Sequence, residues 1–137
     1  MAQRRHDSSL ISLDIPLISN LDVLNNIALI KLYRDNLPKR QAEQLVLKLL
    51  NRYKLEDIAY KRSADLTDEH RFCVMLLRAA MINEATIVID RPFIILHNSQ
   101  DSSFMKYALN TIDDLYNQCH ILDYIWNKDR YIKDNAS

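Results

Sequence analysis

The chain has 137 residues, of which 48% are hydrophobic and 26% are charged, with 18 Lys and Arg against 18 Asp and Glu. This length and composition are typical of one globular domain with a hydrophobic core. The net charge of zero argues against nucleic-acid binding and against a polybasic membrane-surface protein, since both need excess positive charge. The absence of glycine excludes a P-loop, a dinucleotide-binding turn and a hydrolase nucleophile elbow on this chain.

Cysteine usage and hydropathy predict where the protein works. Cys73 and Cys119 do not form a Cys-x-x-Cys pair, which excludes a zinc knuckle and a thioredoxin-like redox site. Few cysteines and a polar N-terminus without a signal peptide predict a reducing, cytoplasmic location. The longest apolar runs are too short to span a bilayer, so we expect no direct membrane insertion.

The spacing of apolar residues predicts more helix than strand. Thr67, followed by two acidic residues, is a candidate N-cap for one of the helices. In chain order we predict a strand at 9–15, helices at 21–33 and 38–53, a helical turn at 55–61, a helix at 67–83, a buried strand at 85–90, a helix at 101–118, a strand at 120–126 and a hairpin over 127–133.

These elements predict one domain of the α/β or helix-rich α+β class. We expect residues 1–8 to be a disordered N-terminus and residues 9–137 to form a single domain. Within it, residues 19–83 form a helical part. Residues 84–137 contain the buried strand, a helix and a C-terminal strand or hairpin.

Single reactive side chains give no sign of a catalytic or metal site. His6, His70, His97 and His120 form no i, i+4 pair and no His-Glu-x-x-His motif, so we expect surface or half-buried histidines. Cys73 falls on the apolar side of its predicted helix, where a small core residue is expected.

The segment 66–93, LTDEHRFCVMLLRAAMINEATIVIDRPF, resembles the core of ABC-transporter ATPases. In that family an LSGGQ-like signature opens a helix that ends in an Ala-Arg-Ala-like segment, and a Walker B strand ends in Asp-Glu-Pro. Here residues 66–70 stand at the signature and Arg78, Ala79 and Ala80 stand at the second segment. The run from Ile87 to Pro92 stands at Walker B.

The resemblance extends upstream and covers roughly residues 9–126. Residues 19–29, SNLDVLNNIAL, resemble the family segment that follows the Q-loop, and residues 55–59, LEDIA, resemble the turn before the signature. The first third of an ABC ATPase, with its Walker A loop, has no counterpart. The resemblance implies a helix-rich α/β fold: a partial P-loop NTPase core with a few mostly parallel strands and an ABC-type helical subdomain.

This chain departs from the family at the positions that contact phosphate. The signature glycines fall at Asp68 and Glu69, directly after Thr67, and the signature glutamine falls at His70. In family members those glycines let backbone N–H groups approach a γ-phosphate at a helix N-terminus. Two carboxylates block that approach and repel a phosphate, so the resemblance implies no cofactor site there.

The chain also departs at the positions that carry out hydrolysis. The Walker B glutamate falls at Arg91, and a guanidinium stays protonated and cannot act as a general base. Asp90 remains, but Mg²⁺ is normally held by carboxylate and substrate phosphates together, so we expect no metal. We expect Asp90 to be structural, satisfied by backbone N–H groups or a nearby cation. The Q-loop glutamine position falls at Leu13 and the D-loop aspartate position at or near His97. The switch histidine position falls near Trp126, with a match of residues 127–133 to a later family hairpin as the alternative register.

These departures predict a protein that is not an enzyme and has no cofactor. The resemblance favours a catalytically inactive ABC ATPase-like subunit or regulator that contacts an ABC transporter or a related membrane complex. A scaffold subunit of an unrelated assembly is the alternative, and half of a split ATPase is less favoured. We expect a protein partner, either a transporter component or a second copy, since an open edge on the 85–90 strand would otherwise invite aggregation unless the 9–15 strand pairs with it. Such a partner would hold this cytoplasmic protein at the inner face of a membrane.

Overall fold

The computed structural model describes the backbone of residues 8–136 and the side chains of residues 8–132. Residues 1–7, most of the predicted disordered N-terminus, lie outside the described part. The elements are β1 (Ser8–Ile11), α1 (Val23–Tyr33), α2 (Lys39–Arg52), α3 (Asp68–Ala80), β2 (Ala85–Asp90), α4 (Pro92–Ile95), α5 (Ser103–Thr111), β3 (Tyr116–Leu122) and α6 (Lys128–Ala136). Short 3-10 turns lie at Glu56–Ile58, Ser63–Asp65 and Ile125–Asn127.

The three strands form one parallel sheet in the order β1-β2-β3. Ile11, Ile89 and Ile121 stand side by side across it. The fold is therefore helix-rich α/β, as the resemblance implied. Neither edge of β2 is open, because β3 covers one side and β1, which lies in the predicted strand 9–15, covers the other.

Helices cover one face of this sheet. Ser9 and Ile11 of β1, with Ile87 and Ile89 of β2, are buried on that face, where α3 packs against both strands. Leu10 on the opposite face is 44% exposed. The sheet therefore has one buried face and one exposed face, and the core of the domain lies between the buried face and the helices.

The apolar stripes of α1 and α2 belong to the core. Ile27 and Ala28 of α1 and Val46 and Leu50 of α2 are all fully buried. The stripes are covered inside the domain, because the two helices pack on each other and α1 also packs on α3. Packing inside the domain already removes the apolar surface of these stripes from water.

The middle of the chain follows the sequence predictions closely. Thr67 is the N-cap of α3, and its side chain accepts a hydrogen bond from the backbone N–H of His70 at 3.1 Å. β2 has the predicted bounds. Because the chain has no glycine, residues with larger side chains adopt positive φ at Asn36, Lys54, Glu84 and Arg91.

The C-terminal predictions are partly wrong. α5 ends at Thr111 instead of continuing to residue 118, and β3 begins at Tyr116 and ends at Leu122. Pairing with β2 overrides the helical spacing of the apolar residues there. The predicted hairpin over 127–133 is the start of α6, because Asp123 accepts hydrogen bonds from Asn127 and from the Tyr131 hydroxyl and holds the turn in helical form.

Candidate functional site at the carboxyl end of the sheet

The carboxyl ends of the three parallel strands meet at one edge of the sheet, where ligands bind in open α/β folds. Ser12 follows β1, Asp90 ends β2 and Tyr124 follows β3. The Ser12 hydroxyl donates to Asp90 Oδ2 at 3.3 Å. Arg91 joins the second strand end to the third, since its Nη1 donates to the Tyr124 hydroxyl at 3.4 Å.

Arg91 occupies the space in front of the Asp90 carboxylate. Its Nε lies 3.2 Å from both carboxylate oxygens, and its Nη2 lies 3.0 Å from Oδ2. The same Nη2 lies 3.6 Å from Asp14 Oδ2. The backbone of Arg91 is left-handed, with φ 49°, and its N–H donates to the Leu122 carbonyl at 2.7 Å. The turn after β2 therefore folds the guanidinium back onto the preceding carboxylate.

These contacts fix the charge states of both side chains. Hydrogen bonds from Arg91 hold the pKa of Asp90 below its usual range, against an opposing effect of burial, and the Ser12 hydroxyl adds to the lowering. Hydrogen bonds with Asp90 and Tyr124 raise the pKa of Arg91 further above neutrality. Asp90 is an anion paired with a permanent cation, as expected of a structural carboxylate, although its side chain is 26% exposed and not deeply buried.

The predicted signature position forms a second, separate cluster at the start of α3. Asp68 Oδ1 lies 3.2 Å from Arg71 Nη1, and Asp68 Oδ2 lies 2.8 Å from His97 Nδ1. Arg71 in turn donates to the carbonyls of Ser63 at 2.7 Å and Leu66 at 2.9 Å. The structure thus brings together His97 and Asp68, two positions that the sequence placed in different family motifs.

A surface cavity of about 600 Å³ lies beside this cluster, between the start of α3 and the segment 96–104. Three carboxyl side chains line it: Asp68, Glu69 and Asp101. His70 and Thr67 also contribute to its wall. The positive end of a helix dipole normally attracts anions, but carboxylates of the same sign as phosphate face this cavity and oppose that attraction.

The remaining predicted positions contribute little chemistry. Leu13 is 48% exposed and has no polar side-chain atom. Trp126 is 72% exposed, and its ring stacks on Tyr124 with centroids 4.2 Å apart. Among residues 8–132, no group of three or more His, Cys, Asp or Glu side chains is arranged to hold a metal ion.

Four residues of the two clusters escaped the sequence predictions: Ser12, Asp14, Arg71 and Tyr124. Ser12, Asp14 and Tyr124 lie inside the predicted strands 9–15 and 120–126, and only the observed strand ends, Ile11 and Leu122, place them at the shared carboxyl edge. No sequence signal marked Arg71, because a charged residue in a first helical turn is usually solvated and belongs to no motif with a recognisable spacing.

No protein-family model matches this chain, and no curated protein sequence does. Its fold is similar to that of the ATP-binding cassette MJ0796, whose dimeric structure is described in a post-hydrolysis state bound to ADP and Pi. The TM-score is 0.65 at 21% sequence identity, over 89% of this chain and 54% of the cassette. A second dimeric structure of MJ0796, described as a bacterial ABC transporter cassette, gives a TM-score of 0.65 at 20% identity, over 92% of this chain and 56% of the cassette.

The chain spans a little over half the length of this cassette in both structures. In the described part of the chain, every helix is too short or too polar to cross a bilayer. The resemblance inferred from the motifs is therefore confirmed at the level of the fold: the chain folds like part of an ABC transporter ATPase cassette.

Proposed function

We propose that the chain is a catalytically inactive ABC ATPase-like protein that acts as a non-catalytic subunit or regulator through protein contacts. The observation that carries this proposal is the pairing of Asp90 with Arg91 at the end of the central strand. Asp90 stands where the family organises Mg²⁺, and Arg91 stands where the family has its general base.

The paired guanidinium opposes both the binding of Mg²⁺ and the activation of the attacking water molecule. A Mg²⁺ ion at Asp90 would have to displace Arg91, whose Nη2 lies 3.0 Å from Oδ2, or share the carboxylate with it at close range. Two cations at that distance repel each other strongly. A guanidinium also has no acceptor for a proton, so Arg91 cannot activate a water molecule.

The second cluster supports the same proposal. Where the family binds phosphate through glycine backbone, this chain has Asp68 engaged with Arg71 and His97, and Glu69 faces the same cavity. Restoring one cluster would leave the other unsuited to phosphate. We therefore infer that this cassette-like protein acts by contacting other proteins and not by hydrolysing ATP.

Exposed apolar side chains support a protein partner. Two neighbouring apolar side chains after β3, Ile125 and Trp126, are 82% and 72% exposed, and clustered exposed apolar groups mark contact surfaces. Both structures with a similar fold are of one cassette, MJ0796, which is described as dimeric and as a bacterial ABC transporter cassette. We therefore propose a transporter component or a second copy as partner, at the cytoplasmic face of a membrane.

Affinity capture of the tagged protein from its native cells, followed by mass spectrometry, tests the proposal. We expect a transporter permease or a complete ABC ATPase to be enriched over an untagged control. Enrichment of an unrelated assembly would instead support a scaffold role. A captured chain with its own Walker A loop, forming a complex whose ATP hydrolysis is lost in the Asp90→Asn variant, would contradict inactivity and support a split ATPase.

A further inference from the structure

Residues 12–18 form a strap between β1 and the segment that precedes α1, and they belong to no helix or strand. Leu17 is 5% exposed and lies in the core, whereas Leu13, Ile15 and Ile18 are 41–48% exposed. A segment with few buried apolar contacts is normally the first part of a fold to open. The conformation of the strap therefore depends on its polar contacts.

Arg78 of α3 makes two of these polar contacts. Its Nη2 donates to the Ile15 carbonyl at 2.7 Å, and its Nη1 donates to the Pro16 carbonyl at 2.9 Å. The donors of a guanidinium form a rigid planar fork, so one arginine can hold two consecutive carbonyls at once. A single side chain thereby fixes the middle of the strap.

The charge of Arg78 has no other use among the described residues. Within residues 8–132 its guanidinium forms no ion pair, and its polar partners are the two strap carbonyls. The side chain is half-buried, and burial lowers the pKa of Arg78 because the charged form loses water. The two carbonyls therefore replace part of the lost hydration of the cation, in hydrogen bonds that its charge strengthens.

The two ends of the strap have polar contacts of their own. At the start, the buried Ser12 hydroxyl donates to Asp90 Oδ2 at 3.3 Å. At the end, the buried Asn26 side chain of α1 accepts from the Ile18 N–H at 2.8 Å and donates to the Ile18 carbonyl at 3.1 Å. Arg78 thus holds residues 13–16 between two ends that are fixed by other side chains.

A surface cavity of about 310 Å³ lies beside the middle of the strap. Ile15 and Arg78 form part of its wall, and Leu29 and Ile30 of α1 form another part. A space of this size exceeds the volume of a water molecule many times. Close packing therefore does not fill the region between the strap and α1, and residues 13–16 can move without disrupting a packed core.

We propose that Arg78 is a latch that keeps the strap closed, and that residues 13–16 open as a local unit when its guanidinium is lost. Such an opening requires less free energy than unfolding of the whole domain. It widens the cavity toward α1, so the latch controls access to that cavity. This role goes beyond the proposed function and does not depend on it, because neither a nucleotide nor a partner takes part.

Hydrogen exchange of the purified chain measures this opening at individual backbone amides. Two amides in the middle of the strap are the reporters: the Asp14 N–H donates to the Ser12 hydroxyl at 3.1 Å, and the Ile15 N–H donates to the Ser12 carbonyl at 3.0 Å. The Ile18 amide, which is held by Asn26, reports on the fixed end of the strap. The β2 amides report on the fold as a whole.

Two variants of the latch and one matched control separate the possible causes. Arg78→Met keeps the apolar stem and removes every donor, whereas Arg78→Lys keeps the charge and lacks the fork. The control is Arg52→Met. Arg52 of α2 also donates to a backbone carbonyl, that of Thr111 at 3.2 Å, but this carbonyl lies outside the strap.

We expect the Asp14 and Ile15 amides to exchange about tenfold faster or more in Arg78→Met, because two hydrogen bonds from a charged donor are lost. The increase should be smaller in Arg78→Lys, whose ammonium has no fork to hold both carbonyls. The Ile18 and β2 amides should keep their wild-type rates in both variants. Arg52→Met should leave the strap amides unchanged.

Unchanged exchange of Asp14 and Ile15 in the Arg78 variants overturns the latch, as does an equal increase in Arg52→Met. An increase by the same factor at Ile18 and in β2 also overturns it, because the whole domain would then be unfolding. If Arg78→Met does not fold, the same amides in Arg78→Lys decide between these outcomes.

Discussion

The guanidinium of Arg91 contacts both carboxylate oxygens of the preceding residue, Asp90, at 3.0–3.2 Å. Neighbouring side chains at the end of a strand normally diverge, since successive residues point to opposite faces. The left-handed backbone of Arg91, with φ 49°, turns its side chain back. The two positions at which the resemblance implies a metal ligand and a base form a single ion pair in this chain.

Replacing Arg91 by glutamate should not create an ATPase. A general base contributes about 10²–10⁴-fold, and only to a substrate that is already positioned. The acidic cavity at Asp68 and Glu69 does not favour phosphate. Phosphate release from Mg-ATP should therefore stay at background in Arg91→Glu. The matched control is Arg91→Gln, which removes the charge without adding a base. Turnover in the glutamate variant alone would reveal a phosphate site on this chain.

Removing the Asp90 charge should destabilise the protein slightly and only above acidic pH. Arg91 holds the pKa of Asp90 below its ordinary value of 3.8. A carboxyl whose pKa is lower in the folded state stabilises the fold above the unfolded pKa and loses that effect as the pH falls through the folded pKa. For a partly exposed pair we expect Asp90→Asn to cost less than about 1 kcal/mol at pH 7.

Urea unfolding of both proteins as a function of pH measures the difference. The two stabilities should converge as the pH falls below 3.8. A difference that grows toward acid pH would contradict the pairing of Asp90 with a cation.

Replacing Lys54, after α2, and Lys48, inside α2, by glycine should change the free energy of unfolding in opposite directions. α2 ends in a Schellman motif, with Leu55 N–H bonded to the Leu50 carbonyl and Lys54 N–H bonded to the Asn51 carbonyl, each at 2.9 Å. Lys54 has φ 60°, where glycine is the preferred residue. Lys54→Gly should raise the free energy of unfolding by up to about 1 kcal/mol.

Lys48, an exposed residue inside α2, provides the comparison. Lys48→Gly should lower the free energy of unfolding by about 1 kcal/mol, because glycine is unfavourable in a helix interior. Chemical denaturation of the two variants measures both values. If both variants lost the same free energy of unfolding, the backbone of Lys54 would not be strained.

Removing the Tyr53 hydroxyl should weaken the packing of α5 on α2. Tyr53 is 5% exposed, and its hydroxyl donates to the Ala108 carbonyl at 2.5 Å. Burial raises the pKa of Tyr53, so the hydroxyl keeps its proton. Tyr53→Phe leaves that carbonyl without its donor and should cost about 1–2 kcal/mol by thermal or urea unfolding. Tyr60→Phe, at a 71% exposed tyrosine, should change nothing measurable; equal effects would contradict this account.

The sequence was most informative where local and tertiary signals agree. Thr67 caps α3 as its position before two acidic residues predicts, and the β-branched run 85–90 forms β2 with the predicted bounds. It was least informative after residue 111. Leu115 and Tyr116 continue the helical spacing of α5, yet Tyr116 pairs with Ala85 in the sheet. A contact between distant segments decides that outcome, and spacing does not report it.

The same division applies to the site. Once the resemblance places Arg91 at the position of the Walker B glutamate, the chemistry of a guanidinium is enough to predict that no general base stands there. The pairing partners Ser12, Asp14 and Tyr124 depend on strand order. That order became known only when β1 and β3 were seen on either side of β2.

Isothermal titration of the purified chain with Mg-ATP tests the central claim most directly. The proposed inactivity predicts no saturable heat at millimolar nucleotide, both for the wild type and for Arg91→Glu. Saturable binding to the wild type, weakened when Asp90 is replaced by asparagine, would show that the Asp90 carboxylate still organises a nucleotide and would contradict the account.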